Sequence, residues 1–142
     1  MDDERWLGLA VELAGRCPPS ATAFSVGAVV VADDRVVSQG YSRRDTPADH
    51  AEEVALRDVP APPPGATVYS SMEPCGQRAS RPRTCTDLIL AAGVSRVVYA
   101  LAEPELFVVP RGAARLREAG VEVVWLPEFA EAAAAVNAHL RG

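Results

Sequence analysis

ATVYSSMEPCGQRASRPRTCTDLILAAGVSRVVYAL, residues 66–101, decides the architecture of this chain. A β-prone apolar run from Ala66 to Ser71 leads into a polar segment that holds Cys75, Cys85 and three arginines. An apolar helix is predicted from Thr86 to Ala92, and a second β-rich run from Arg96 to Leu101. Strand, helix and strand in that order make the unit that places two strands parallel in one sheet. Upstream, PAPPPG from Pro60 to Gly65 forbids regular structure, and Asp49 to Asp58 reads as a helix. Earlier still, Val26 to Ala32 is an unbroken β-rich run, turned by Asp33-Asp34 into Val36 to Tyr41. Asp3 to Gly15 puts Trp6, Leu9, Ala10 and Leu13 on one helical face. Downstream come a helix at Arg111 to Ala119 and a strand at Val121 to Leu126. A final helix, Glu128 to Leu140, carries a stripe of Phe129, Ala133, Val136 and Leu140. Apolar strands separated by helices predict a three-layer α/β fold whose later strands run parallel.

Composition narrows the function classes. With 142 residues, no internal repeat and 49% hydrophobic residues, the chain reads as one globular domain, residues 1–142. No apolar run approaches the roughly 20 residues of a membrane helix. The start, MDDERW, is acidic where a secretory signal would be basic, so a cytoplasmic protein without a membrane partner is expected. Three cysteines in such a chain favour metal or catalytic use over a disulfide framework. A net charge of −5 argues against a nucleic-acid partner, which would need a basic face.

The chemistry gathers at two helix starts and just past the end of one strand. DHAEE supplies His50 and Glu52, EPC supplies Cys75 just after a strand, and Cys85 opens the next helix. Imidazole and thiolate are zinc ligands, and a catalytic zinc keeps three protein ligands and one open position. His50, Cys75 and Cys85 meet that count, for one Zn2+ per chain. Helix N-termini favour thiolate over thiol, and the arginines push the same way. Each residue also has a plainer reading. Asp49 with Glu52, and Thr84 with Asp87, both fit helix-capping patterns, so Glu52 could serve only as a cap. Singly, Cys75 and Cys85 would more often be buried small hydrophobes. Glu52 follows His50 by two residues, about 200° around a helix, so a metal would have to approach at the helix end. His50-Ala51-Glu52 followed by Pro74-Cys75 and a second cysteine is the zinc nucleobase-deaminase arrangement, with a longer cysteine spacing than the short signature.

The resemblance extends over nearly all of the chain. TAFSVGAVVV, GYSR, HAEEVAL, TVYSSMEPCGQRAS and AEPELFVVPRG occur in order and together resemble the pyrimidine deaminases of riboflavin biosynthesis. They are most similar to the fungal-type deaminase domain, within the cytidine deaminase-like superfamily. The resemblance implies a three-layer α/β/α fold with a central mixed sheet of about five strands. It implies a zinc-dependent hydrolase that releases ammonia from a diaminopyrimidinone carrying a ribosylamino or ribitylamino 5′-phosphate. His50, Cys75 and Cys85 match the zinc ligands and Glu52 the proton shuttle. Arg43, Ser71, Arg78 and Ser80 fall in shared segments and are the expected substrate contacts. A homodimer or larger homo-oligomer is the superfamily's habit.

Departures from the pattern bear on the substrate. The bacterial bifunctional enzymes have an Asn-Pro pair where Ala23-Phe24 stands here, and carry a reductase domain that is not expected in this chain. The fungal type has a small polar residue before the histidine, where this chain has Asp49. Arg43, Arg44, Arg78, Arg81 and Arg83 suit a 5′-phosphate, because guanidinium binds phosphate oxygens bidentately. Cytidine, deoxycytidylate and free-base deaminases are the alternatives within the same chemistry. A structural zinc protein is another, and would want a fourth ligand from Cys17 or His139.

Overall fold

Asp33 and Asp34 both take left-handed backbone angles, with φ of 53° and 59°. Two such residues make the tight turn whose twist matches that of the flanking strands. It folds Gly27–Ala32 (β1) antiparallel onto Arg35–Tyr41 (β2). The structure, a computed structural model, describes residues 2–59, 61–76, 83–102 and 112–140. Asp3–Ala14 (α1) precedes the hairpin, and Ala51–Asp58 (α2) and Thr67–Met72 (β3) follow it. Cys85–Ala92 (α3), Arg96–Leu101 (β4), Gly112–Glu118 (α4) and Glu122–Trp125 (β5) come next. The chain closes with a short helix at Ala130–Ala135 (α5), between 3-10 turns at Pro127–Phe129 and Ala138–Leu140.

The five strands form one sheet in the order β2-β1-β3-β4-β5. β1 pairs antiparallel with both β2 and β3, whereas β3–β4 and β4–β5 are parallel. The expected mixed sheet with parallel later strands is the one observed. Side-chain alternation divides the core in two. Ala28, Val30 and Val68 face a layer that includes Ala55 of α2, Ile89 of α3 and Leu116 of α4. Val29, Val31 and Tyr69 face Leu7, Ala10 and Leu13 of α1 and Ala133 of α5. This is the α/β/α sandwich. Gly40 lets α2 lie flat on β2, since a Cβ there would stand 2.7 Å from the Ala51 carbonyl oxygen and 2.8 Å from the Ala55 nitrogen. Among the described residues, no helix is long and apolar enough to cross a membrane.

Two sequence expectations are corrected. The helix expected over Glu128 to Leu140 shrinks to α5. Asn137 is buried, and its amide takes the Ser25 N–H at 2.6 Å and donates to the Ser25 carbonyl at 3.0 Å. It also lies 3.4 Å from the Ala133 carbonyl, a local alternative to the helical backbone bond. The helix predicted from Asp49 begins at Ala51, and the cap moves with it. His50 is the N-cap, and its N–H donates to Glu53 Oε1 at 3.2 Å, so Glu53 rather than Glu52 closes the cap. The second capping pattern stands: Thr84 Oγ1 accepts the Asp87 N–H, and Asp87 Oδ2 accepts the Thr84 N–H, both at 3.0 Å.

Candidate active site

The cap places the histidine. His50 has extended angles, φ −98° and ψ 154°, so its side chain is released from the helical progression that would carry it away from Glu52. Its ring turns Nδ1 to 3.5 Å from Cys75 Sγ and 3.4 Å from Cys85 Sγ. Cys75 follows the end of β3, and Cys85 is the first residue of α3. Both cysteines are buried, and no disulfide joins them.

The three donor atoms lie within 4.8 Å of one another. One half-buried imidazole and two buried thiols, converging without a disulfide, form a donor set of the kind zinc selects. The Cys85 N–H donates to Cys75 Sγ at 3.2 Å, and the Thr86 N–H donates to the Cys75 carbonyl, also at 3.2 Å. Hydrogen bonding with the Cys85 thiol, then with His50 and the Cys85 N–H, holds the Cys75 thiol well below its ordinary range. The thiolate is the ligand form. Cys17 and His139 stand elsewhere: Cys17 Sγ is 3.5 Å from the Val26 carbonyl, and exposed His139 has Nε2 2.7 Å from the Ser20 carbonyl.

Glu52, the second residue of α2, is 3% exposed. Its burial, and next the negative charge at Cys75, push its carboxyl up to about 7. A carboxyl that titrates near neutrality can both take and give a proton there. Ser70 Oγ lies 3.3 Å from Glu52 Oε2 and 2.6 Å from the Met72 carbonyl. Sequence reasoning chose Ser71 and missed Ser70. Neighbouring strand residues point to opposite faces, so Ser70 shares the α2 side with Val68, and Ser71 shares the α1 side with Tyr69. Ser71 Oγ accepts the Gly27 N–H at 3.0 Å.

The arginines divide in the same way. Arg43 has φ 59°, and its guanidinium bonds the Pro18 and Phe24 carbonyls and Ser25 Oγ at 2.7–3.2 Å. It ties down the connection before β1, and a phosphate would have to compete with those acceptors. Arg44 pairs with Asp45 and Asp58 at 2.9 and 3.2 Å on the surface. Arg83 Nη2 is 3.4 Å from the Asp87 carbonyl. Arg78, Ser80 and Arg81 lie outside the described residues, as does most of the AEPELFVVPRG segment.

Sequence comparison agrees with this chemistry. Residues 1–101 match the family model of the cytidine and deoxycytidylate deaminase zinc-binding region. Over 126 residues, 85% of the chain, it is 40% identical to the diaminohydroxyphosphoribosylamino-pyrimidine deaminase of Schizosaccharomyces pombe, 31% of whose length is covered. Acinetobacter baumannii RibD superposes with a TM-score of 0.83 at 32% identity, over 99% of this chain and 39% of that one. The Rib2 deaminase of Aspergillus oryzae superposes with a TM-score of 0.81 at 27% identity, over 100% of both chains. This chain spans about a third of the length of the curated relatives it matches.

Proposed function

The chain belongs to the zinc-binding cytidine and deoxycytidylate deaminase family, and from that premise we propose that it deaminates a phosphorylated diaminopyrimidine by hydrolysis. The observation that carries the reading is the convergence of His50, Cys75 and Cys85 beside a buried carboxyl, Glu52. His50, Cys75 and Cys85 would hold the zinc, which when bound would supply a water acidic enough to attack at neutral pH.

The rest of the chemistry is proton traffic through Glu52. Its carboxylate takes a proton from the attacking water and passes it to the ring nitrogen beside the amino-bearing carbon. The carbon becomes tetrahedral. Glu52 then takes the second proton, from the hydroxyl now on that carbon, and delivers it to the amine; the carbonyl forms as the C–N bond breaks, and ammonia leaves. Ser70 orients the carboxyl from beneath, donating to it when charged and accepting from it when protonated. Because Glu53 serves the helix cap, Glu52 is released for this work.

The substrate we propose is the diaminopyrimidinone of riboflavin biosynthesis that carries a ribosylamino or ribitylamino 5′-phosphate. The 40% identity to a diaminohydroxyphosphoribosylamino-pyrimidine deaminase and the 39% identity to a riboflavin biosynthesis protein support it. Arg78 and Ser80 are the proposed sugar-phosphate contacts, with Arg43 holding the connection before β1 in place. A homo-oligomer in the cytoplasm, acting on a small molecule, completes the reading. The test is ammonia release from the purified protein offered phosphorylated diaminopyrimidines, cytidine, deoxycytidylate, cytosine and guanine. The phosphorylated diaminopyrimidines are expected to lead; a clear preference for cytidine or a free base would overturn the assignment.

A further inference from the structure

The two thiolate ligands come from opposite ends of one connecting segment, so their separation depends on whatever ties those ends together. Gly76 directly follows Cys75, and Thr84 directly precedes Cys85. Arg115, on α4, reaches both. Its Nη1 lies 3.1 Å from the Gly76 carbonyl and 3.3 Å from Thr84 Oγ1, and its Nη2 lies 2.5 Å from Asp87 Oδ1. One planar guanidinium therefore spans both shoulders of the metal site, in a geometry that an ammonium cannot copy.

The helix that carries Arg115 is itself fastened to the same place. Glu73 Oε2 accepts the Ala113 N–H at 2.9 Å, and Glu73 stands two residues before Cys75. Gly112 packs so tightly on Pro74 that a Cβ there would collide with the Pro74 carbonyl oxygen. Only glycine permits that approach. α4 thus grips the segment before Cys75 through Glu73 and Pro74, the residue after it through Gly76, and the start of α3 through Thr84 and Asp87. Residues 112–118 also lie beyond the stretch matched by the deaminase family model.

We propose that Arg115 is a positioning residue of the metal centre: it sets the spacing of Cys75 and Cys85 and so governs how firmly the metal is held. It is not one of the three candidate ligands. It acts by fixing the backbone on which both thiolates ride, as outer-shell partners commonly do. The inference rests on zinc at His50, Cys75 and Cys85, and needs no particular substrate.

The test is zinc release from the full-length, zinc-loaded protein to a chromogenic chelator. Arg115→Met keeps the alkyl stem and removes the fork, and is expected to release zinc about tenfold faster or more. Arg115→Lys, with charge but no fork, should fall between. Arg117→Met, exposed on the same helix, should match the parent protein. At saturating Co2+, the visible ligand-field bands of Arg115→Met should be displaced from those of the parent, a change that lost fold stability alone does not produce. Parental release and an unmoved cobalt spectrum in Arg115→Met would overturn the proposal, and so would equal acceleration in Arg117→Met. Should Arg115→Met fail to fold, parental release from Arg115→Lys overturns it instead. A parent protein that binds no zinc removes the centre and the brace together, whereas failure of the substrate panel leaves this measurement standing.

Discussion

Ser70 Oγ stands 3.3 Å from Glu52 Oε2, and both side chains are closed off from water. A hydroxyl so placed stabilises the charged carboxylate and draws the Glu52 titration downward against the effect of burial. Ser70→Ala should therefore move the acid limb of the kcat/KM profile to higher pH. It should also lower turnover by about ten- to a hundredfold, the worth of a hydrogen bond to a charged group. Zinc content should not change. An unmoved acid limb would mean that Ser70 serves only the Met72 backbone.

Glu52→Gln should keep both fold and zinc, because the helix cap belongs to Glu53. Activity should fall by at least the roughly 10²–10⁴-fold credited to general acid–base catalysis. His50→Ala should lose zinc along with activity. Metal analysis of the two variants beside their turnover separates a proton carrier from a ligand, and near-parental turnover in Glu52→Gln would remove it from the mechanism.

Far from the site, Asp3 joins α1 to the sheet. It accepts from Arg96 at 2.6 and 2.8 Å and from the Tyr69 hydroxyl at 2.6 Å. The Arg96 hydrogen bonds first, and then Tyr69, hold its carboxyl below the usual carboxylate range. A depressed folded-state pKa contributes stability that is present above the unfolded value of about 3.9 and is lost as pH falls through the folded one. Asp3→Asn should therefore cost about 2 kcal/mol near neutral pH, and progressively less in acid. Urea unfolding of both proteins across that range checks it, and a pH-independent difference would contradict it.

The two arginines expected from the sequence to contact substrate should behave differently. Arg78→Ala should reduce turnover of the phosphorylated substrate far more than that of its dephosphorylated form, as loss of a phosphate clamp requires. Arg43→Ala should weaken both alike, because its guanidinium holds the Pro18 and Phe24 carbonyls. Ratios of kcat/KM for the paired substrates decide between the roles.

The order of strands and helices was legible because β-rich runs, turn residues and apolar stripes are local signals. The ligand set was legible because His50-Ala51-Glu52, Pro74-Cys75 and Cys85 occur in combination, although each residue singly has a plainer use. What escaped depended on contacts distant in sequence or on facing. Ser70 and Ser71 are adjacent and chemically identical, and only the packing of Val68 and Tyr69 on opposite layers tells them apart. Asp49 and Glu52 have the spacing of a capping box, yet the cap forms one residue later at His50 and Glu53. Asn137 shortens the last helix through a bond to Ser25, 112 residues away. Arg115 meets Gly76 across 39 residues and leaves no mark in the local pattern.

The proposed reaction is hydrolysis of an aminopyrimidine at a zinc held by His50, Cys75 and Cys85, with Glu52 beside it. It is tested most directly by ammonia release from a phosphorylated diaminopyrimidinone, measured with zinc bound, after a chelator has removed it, and after zinc is restored. Turnover should vanish and return with one zinc per chain. Turnover that persists after the metal is gone, or a zinc-replete protein that releases no ammonia from any aminopyrimidine, would contradict it.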